Sequence, residues 1–125
     1  MAYSTIVKPQ DYFNTKLYTG NGSAGNAITG VGFQSDFSWI KNRAADWHIW
    51  TDAVRGVTKQ IYSNSSSAEA TDSTYMQSFN SDGFTLGTNA DVNDSGNNYA
   101  SWNWLAANGT ASNTTGSINS TVSVN

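Results

Sequence analysis

Ala100-Ser101-Trp102-Asn103-Trp104-Leu105-Ala106 sets Ala100, Trp102, Trp104 and Ala106 on one face and Ser101 and Asn103 on the other. That two-residue period is the signature of a β-strand, whose successive side chains point to opposite sides of the sheet. The apolar face of this stretch predicts a central strand with Trp102 and Trp104 both in the core. The same period recurs elsewhere. Phe37 and Trp39 alternate with Ser38 before Ile40, and Trp47 and Ile49 alternate with His48 before Trp50. Ile118, Val122 and Val124 oppose Asn119, Thr121 and Ser123 near the C-terminus. Shorter strand candidates are Lys16 to Thr19, Ala27 to Thr29, Thr58 to Tyr62 and Gly83 to Leu86.

Turn formers punctuate these runs: Gly20-Asn21-Gly22-Ser23, Asn80-Ser81-Asp82-Gly83, Ser95-Gly96-Asn97-Asn98 and Asn108-Gly109. Strands of roughly five to seven residues between such turns are the pattern of antiparallel sandwiches and barrels. One helical turn is predicted around Ser66 to Asp72, where Ser, Ala and Asp offer caps and a helix former. The expected fold is all-β: an antiparallel β-sandwich, jelly-roll-like, of about seven or eight strands. Residues 1–13 read as an extended N-terminal arm, 14–106 as the sandwich, and 107–125 as a flexible Ser/Thr/Asn-rich linker plus a terminal strand.

Composition bounds the function. The 125 residues suit one domain, and charged residues are only 12% of them. Ser, Thr and Asn number 17, 14 and 15, while aromatics reach 13%, enough apolar area for a small core. A formal net charge of −3, with six basic residues scattered between Lys8 and Lys59, makes no nucleic-acid footprint. No apolar run approaches the roughly 18 residues of a membrane span, and the first residues lack a signal peptide's charged start and apolar middle. With no Cys there is neither a disulfide framework nor a thiolate metal site.

The chemistry-bearing residues read mostly as structure. His48 is the single histidine, with no nucleophile elbow for company, and its alternation with Trp47 and Ile49 predicts a sheet-face position. Eight Asp and one Glu invite a glycosidase pair, but Asp82-Gly83 predicts a local backbone hydrogen bond at a turn instead. Asp91-Val92-Asn93-Asp94-Ser95-Gly96 has the front half of a calcium loop, yet Trp102 stands where the bidentate carboxylate belongs. An Asx-rich turn is the expectation there. Neither catalytic residues, metal nor cofactor is expected. Asp52 and Arg55 flank a turn ending at Gly56, where a carboxylate–guanidinium pair pins the loop. Gly30-Val31-Gly32-Phe33 predicts a bend followed by an aromatic anchor. If residues 47–50 are extended, Trp47 and Trp50 point to opposite faces, leaving one of them exposed as a platform for sugar rings.

Three stretches together resemble a known family: Asp11 to Arg43 (DYFNTKLYTGNGSAGNAITGVGFQSDFSWIKNR), Thr51 to Lys59 (TDAVRGVTK) and Ser78 to Trp104 (SFNSDGFTLGTNADVNDSGNNYASWNW). In this order they are similar to a domain of unknown function that recurs in structural proteins of tailed bacteriophages, especially marine ones. The tail NGTASNTTGSINSTVSVN resembles the connector that leads, in longer relatives, into a second β module. The expectation is a short family member or the N-terminal part of a longer fibre-like chain. The resemblance implies a β-rich, non-enzymatic component at the virion surface, in a tail fibre, head fibre or capsid decoration. Its partners would be other virion structural proteins and copies of itself, as a homotrimer or symmetric array. Tyr3, Ile6, Val7, Tyr12 and Phe13 give the arm enough apolar area to dock on a neighbour, and are the candidate assembly contacts. A carbohydrate-binding adhesin is the competing class, with Trp47 and Trp50 as candidate contacts to host glycans. Neither nucleic acid nor membrane is an expected partner.

Overall fold

In the computed structural model, residues 8–44 and 46–106 are described in full, and 109–113 and 120–124 as paired backbone. The strands are β1 (Phe13–Thr19), β2 (Asn26–Thr29), β3 (Phe37–Asn42), β4 (His48–Asp52), β5 (Lys59–Tyr62) and β6 (Ala70–Thr71). They continue with β7 (Met76–Asn80), β8 (Gly83–Leu86), β9 (Asn98–Trp104), β10 (Gly109–Asn113) and β11 (Ser120–Val124). One helical turn, α1, spans Ala90–Asn93, and a 3-10 turn spans Pro9–Asp11. The fold is all-β, as expected. A six-stranded antiparallel sheet, β1-β9-β3-β4-β5-β6, packs on a three-stranded one, β2-β8-β7. The pair β10-β11 forms a separate hairpin.

Several sequence expectations need correction. More strands form than the seven or eight expected, because β6 and β7 carry no clean alternation and β10 lies inside the segment read as a linker. Ser66 to Asp72 holds the short strand β6 instead of a helical turn. The helical turn lies at Ala90–Asn93, where the Asn89 side chain accepts the Asp91 N–H as an N-cap. Phe13, assigned by sequence to the arm, opens β1.

The largest correction concerns which face of β9 is inside. Tyr99, Ser101 and Asn103 are fully buried, whereas Trp102 and Trp104 are only half-buried. Alternation sorts side chains into two sets without saying which set meets the second layer. Here the apolar core between the sheets is Ile28, Ile40, Ile49, Tyr75, Met76, Phe84, Leu86, Val92 and Tyr99. Beside it runs a buried polar row. Asn14 pairs with Asn103, Asn103 with Ser38, and Ser38 with Thr51 across β1, β9, β3 and β4. The Ser38 hydroxyl lies 2.8 Å from Ser35 Oγ and 3.0 Å from Asn103 Oδ1, and Asn103 Nδ2 donates to Ser101 Oγ at 3.0 Å. Asn14 Nδ2 donates to the Val31 carbonyl at 2.9 Å. Mutual hydrogen bonding is what makes burial of such groups tolerable.

The connection Gly30–Asp36 closes this end. Gly30 and Gly32 adopt φ of 82° and 93°, and the bend between them buries Val31 completely and Phe33 nearly so, as the sequence suggested. Asp82 holds the bend. Its carboxylate accepts the Gly30 N–H at 2.9 Å and the Gly32 N–H at 2.6 Å. The expected local turn bond at Asp82-Gly83 is therefore replaced by one to a segment some fifty residues earlier, which sequence spacing does not reveal.

Candidate assembly surface

The six-stranded sheet has a second face, turned away from the core, and it is aromatic. Register places three rows on it. The central row runs Thr15, Trp102, Trp39, Trp50 and Ile61, across β1, β9, β3, β4 and β5. One flanking row is Phe13, Trp104, Phe37 and Asp52, and the other is Leu17, Ala100, Lys41 and His48. The rings form a connected chain. Phe13 lies 4.9 Å from Trp104, Trp104 5.3 Å from Phe37, and Phe37 6.0 Å from Trp50. Trp50 meets Trp39 at 6.0 Å and 89°, and Trp39 meets Trp102 at 5.2 Å. These are edge-to-face and tilted geometries, which the ring quadrupoles favour over flat stacking.

An antiparallel sheet that faces water normally carries polar residues on that side. Here Thr15 is the one polar member of the central row. The rings shelter one another enough to leave each half-buried, while Leu17 is 62% and Phe13 38% exposed. Trp39 Nε1 and Trp50 Nε1 are buried without an acceptor among the described residues, which costs stability.

Charge frames this face at its ends. Lys41 pairs with His48 at one end, and the imidazole pKa is lowered by burial and then by the Lys41 ammonium. At the other end Asp52 Oδ2 accepts Arg55 Nε at 2.5 Å, and Arg55 Nη1 donates to Glu69 at 3.1 Å. The expected Asp52–Arg55 pair is therefore present, with Glu69 as an added partner.

The other candidate residues are dispersed. Tyr3, Ile6 and Val7 lie outside the described residues. Tyr12 is half-buried, and its carbonyl accepts the Leu105 N–H at 2.8 Å. Trp47 is 45% exposed and sits 5.3 Å from Tyr62. It belongs to the β3–β4 loop, whereas Trp50 lies within the aromatic face, so the two do not make one sugar platform. At the Trp47 end a shallow cavity of about 320 Å³ is lined by Arg43, Ala44, Gly96, Asn97 and Asn98. Within the calcium-like stretch, oxygens are committed to the fold. Asp91 Oδ2 accepts the Tyr75 hydroxyl at 2.5 Å, and Asp94 accepts Ser95 N–H and Asn97 Nδ2. Burial first, and then that Asp91 bond, raise the Tyr75 pKa above the usual phenol range. Among the described residues, no three His, Asp or Glu converge on one point, and no helix is long and apolar enough to cross a membrane.

The aromatic face went unread in the sequence as a site. Its signal lies in Phe37, Trp39, Trp50, Trp102 and Trp104, but Trp102 and Trp104 read as core and Trp50 as a candidate glycan contact, so no common face emerges. No curated protein and no solved structure matches this chain. One family pattern does, described as a domain of unknown function, DUF7483, and it matches residues 8–125. With nearly its whole length matched, the chain belongs to the DUF7483 family.

Proposed function

We propose that this domain is a non-catalytic structural module of a tailed-bacteriophage particle, displayed at the virion surface in a tail fibre, head fibre or capsid decoration. The observation that carries the reading is the outer face of the six-stranded sheet. A sheet with an apolar core on one side and an aromatic chain on the other is built as a middle layer, and a middle layer needs a partner. The likeness of Asp11 to Arg43, Thr51 to Lys59 and Ser78 to Trp104 to virion components supports the location. Low charge and an abundance of Ser, Thr and Asn suit a particle surface. The apolar side chains of the arm, Tyr3, Ile6, Val7 and Tyr12, serve as a second contact, with other virion proteins. Cryo-microscopy of the particle is the test. Density for this sandwich on the capsid or fibre, in fixed copy number, is the expected result. Its absence from purified particles refutes the reading.

A carbohydrate-binding adhesin is the second reading, and a different end of the molecule favours it. Exposed Trp47 and the polar cavity at Arg43, Asn97 and Asn98 both draw on the β3–β4 loop. Saturation-transfer NMR with host-surface glycans decides it, since loss of signal in Trp47→Ala is expected only if that ring stacks on sugar.

A further inference from the structure

We propose that the aromatic face of the six-stranded sheet pairs with the same face of a second copy of this chain, about a two-fold axis that runs across the strands. The inference rests on reading that face as an assembly surface, and not on a virion location.

Size is the first argument. Five strands at about 4.8 Å and five residues at about 3.4 Å give a flat footprint of roughly 400 Å² per copy. The relief of six bulky rings adds to that, bringing the pair near the roughly 1,000 Å² total that a specific interface needs. Such an interface suits a dimer of about micromolar affinity.

The rows supply the second argument, because they are complementary under one axis only. A two-fold axis along the central row keeps each strand opposite its own copy and reverses its direction. The row Leu17, Ala100, Lys41, His48 then faces the row Phe13, Trp104, Phe37, Asp52 of the other copy. On β1, exposed Leu17 meets the partner's Phe13. On β9, the partner's Trp104 lies over Ala100, which its own neighbours already bury. On β4, His48 faces the partner's Asp52, with Lys41 beside it on β3. An axis along the strands would instead set the Lys41 end against itself, ammonium near ammonium. The Leu17–Phe13 contact and the separation of the two Lys41 ammonium groups therefore select the axis. The central row lies on it, so Trp39 and Trp50 of the two copies share the dry centre, and the rotation of about 30° between aligned sheets keeps the rows in reach.

Sedimentation equilibrium of the full chain between about 1 and 300 µM tests this, spanning the expected affinity. A mass approaching twice 13.4 kDa is expected, with Leu17→Lys monomeric and Val54→Lys, at a 95% exposed turn position beyond β4, still dimeric. A photo-crosslinker at position 17 should link to the peptide containing Phe13. Should Leu17→Lys fail to fold, the wild-type chain still decides: its tryptophan emission must shift to the red on dilution through the same range. A monomer at every concentration means the face is covered by other residues of this chain or by another molecule, and overturns the proposal. So does a dimer that survives Leu17→Lys, an oligomer larger than two, or a crosslink to any other peptide.

Discussion

The Asn93 side chain is fully buried and ties three segments together. Its Oδ1 accepts the Asn21 N–H at 3.0 Å and Asn26 Nδ2 at 2.7 Å, while its Nδ2 donates to Ser23 O at 2.9 Å and Gly87 O at 2.6 Å. Asn93→Ala leaves those groups without partners inside the fold, so we expect a loss of about 2–4 kcal/mol in urea unfolding. Asn93→Asp keeps the shape, loses the donor, and sets a carboxylate against two carbonyls, so it should be no better. Gln60 is the opposite case. It is 1% exposed, and neither its amide oxygen nor its nitrogen finds a partner among the described residues. Gln60→Met keeps the volume and removes the unpaired groups, so a gain of about 1 kcal/mol is expected by the same measurement. An unchanged or lower stability would mean that the amide has partners the polar row does not reveal. Both residues also mark where sequence reading stops. Period two in β9 separates Trp102 and Trp104 from Ser101 and Asn103 correctly. Which set lies inside depends on the Ser38 hydroxyl and the Asn14 carbonyl arriving to satisfy the Asn103 amide, and those contacts are long-range.

Elements here are short, and turns carry much of their placement. The β7–β8 hairpin closes at Asp82-Gly83, and Gly83 has φ of 131° with the Ile28 carbonyl where a Cβ would stand. Gly83→Ala therefore meets both backbone strain and a clash with the backbone of β2, and should cost at least about 2 kcal/mol in thermal unfolding. Asp82 ties the same turn to Gly30 and Gly32. Those two backbone N–H groups hold its carboxyl below the usual carboxylate range. A depressed folded-state value means a contribution fully present above the ordinary carboxyl range, and lost as pH falls through the folded-state value. The melting temperature of the wild type should therefore fall more steeply than that of Asp82→Asn below about pH 4. Parallel acid profiles would remove Asp82 from the account. Strand existence was legible wherever alternation and flanking turn residues coincide, as in β3, β4, β8 and β9. The helical turn was expected at Ser66 to Asp72 on caps and local propensity, with no buried side chain to support it. It forms at Ala90–Asn93, where the Asn89 cap and the buried Val92 reinforce each other.

Across the whole molecule, the sheet is completed by joining distant parts of the chain. β1 pairs residue by residue with β9, Phe13 with Trp104 through Thr19 with Asn98, and β3 takes the other edge of β9. The assembly surface is a product of that closure. Phe13, Trp104, Phe37, Trp39 and Trp50 become neighbours only once β1, β9, β3 and β4 lie side by side, so their separate motifs could not announce a common face. The same closure predicts how the domain unfolds. Tyr18 stacks on Tyr99 at 5.1 Å between the layers, and burial, then Tyr99, raises the Tyr18 pKa well above its ordinary value. Tyr18, Tyr75 and Tyr99 thus report the inter-sheet core, while Trp39, Trp50, Trp102 and Trp104 report the opposite face of the same sheet. Since β9 is shared by both, we expect near-UV tyrosine dichroism and tryptophan fluorescence to trace one coincident transition. Pairing across so long a stretch of chain must overcome loop-closure entropy first, so refolding should be a single phase in the millisecond-to-second range. Transitions that separate by probe would show that the aromatic face loosens before the core, and that the sheet is not one cooperative unit.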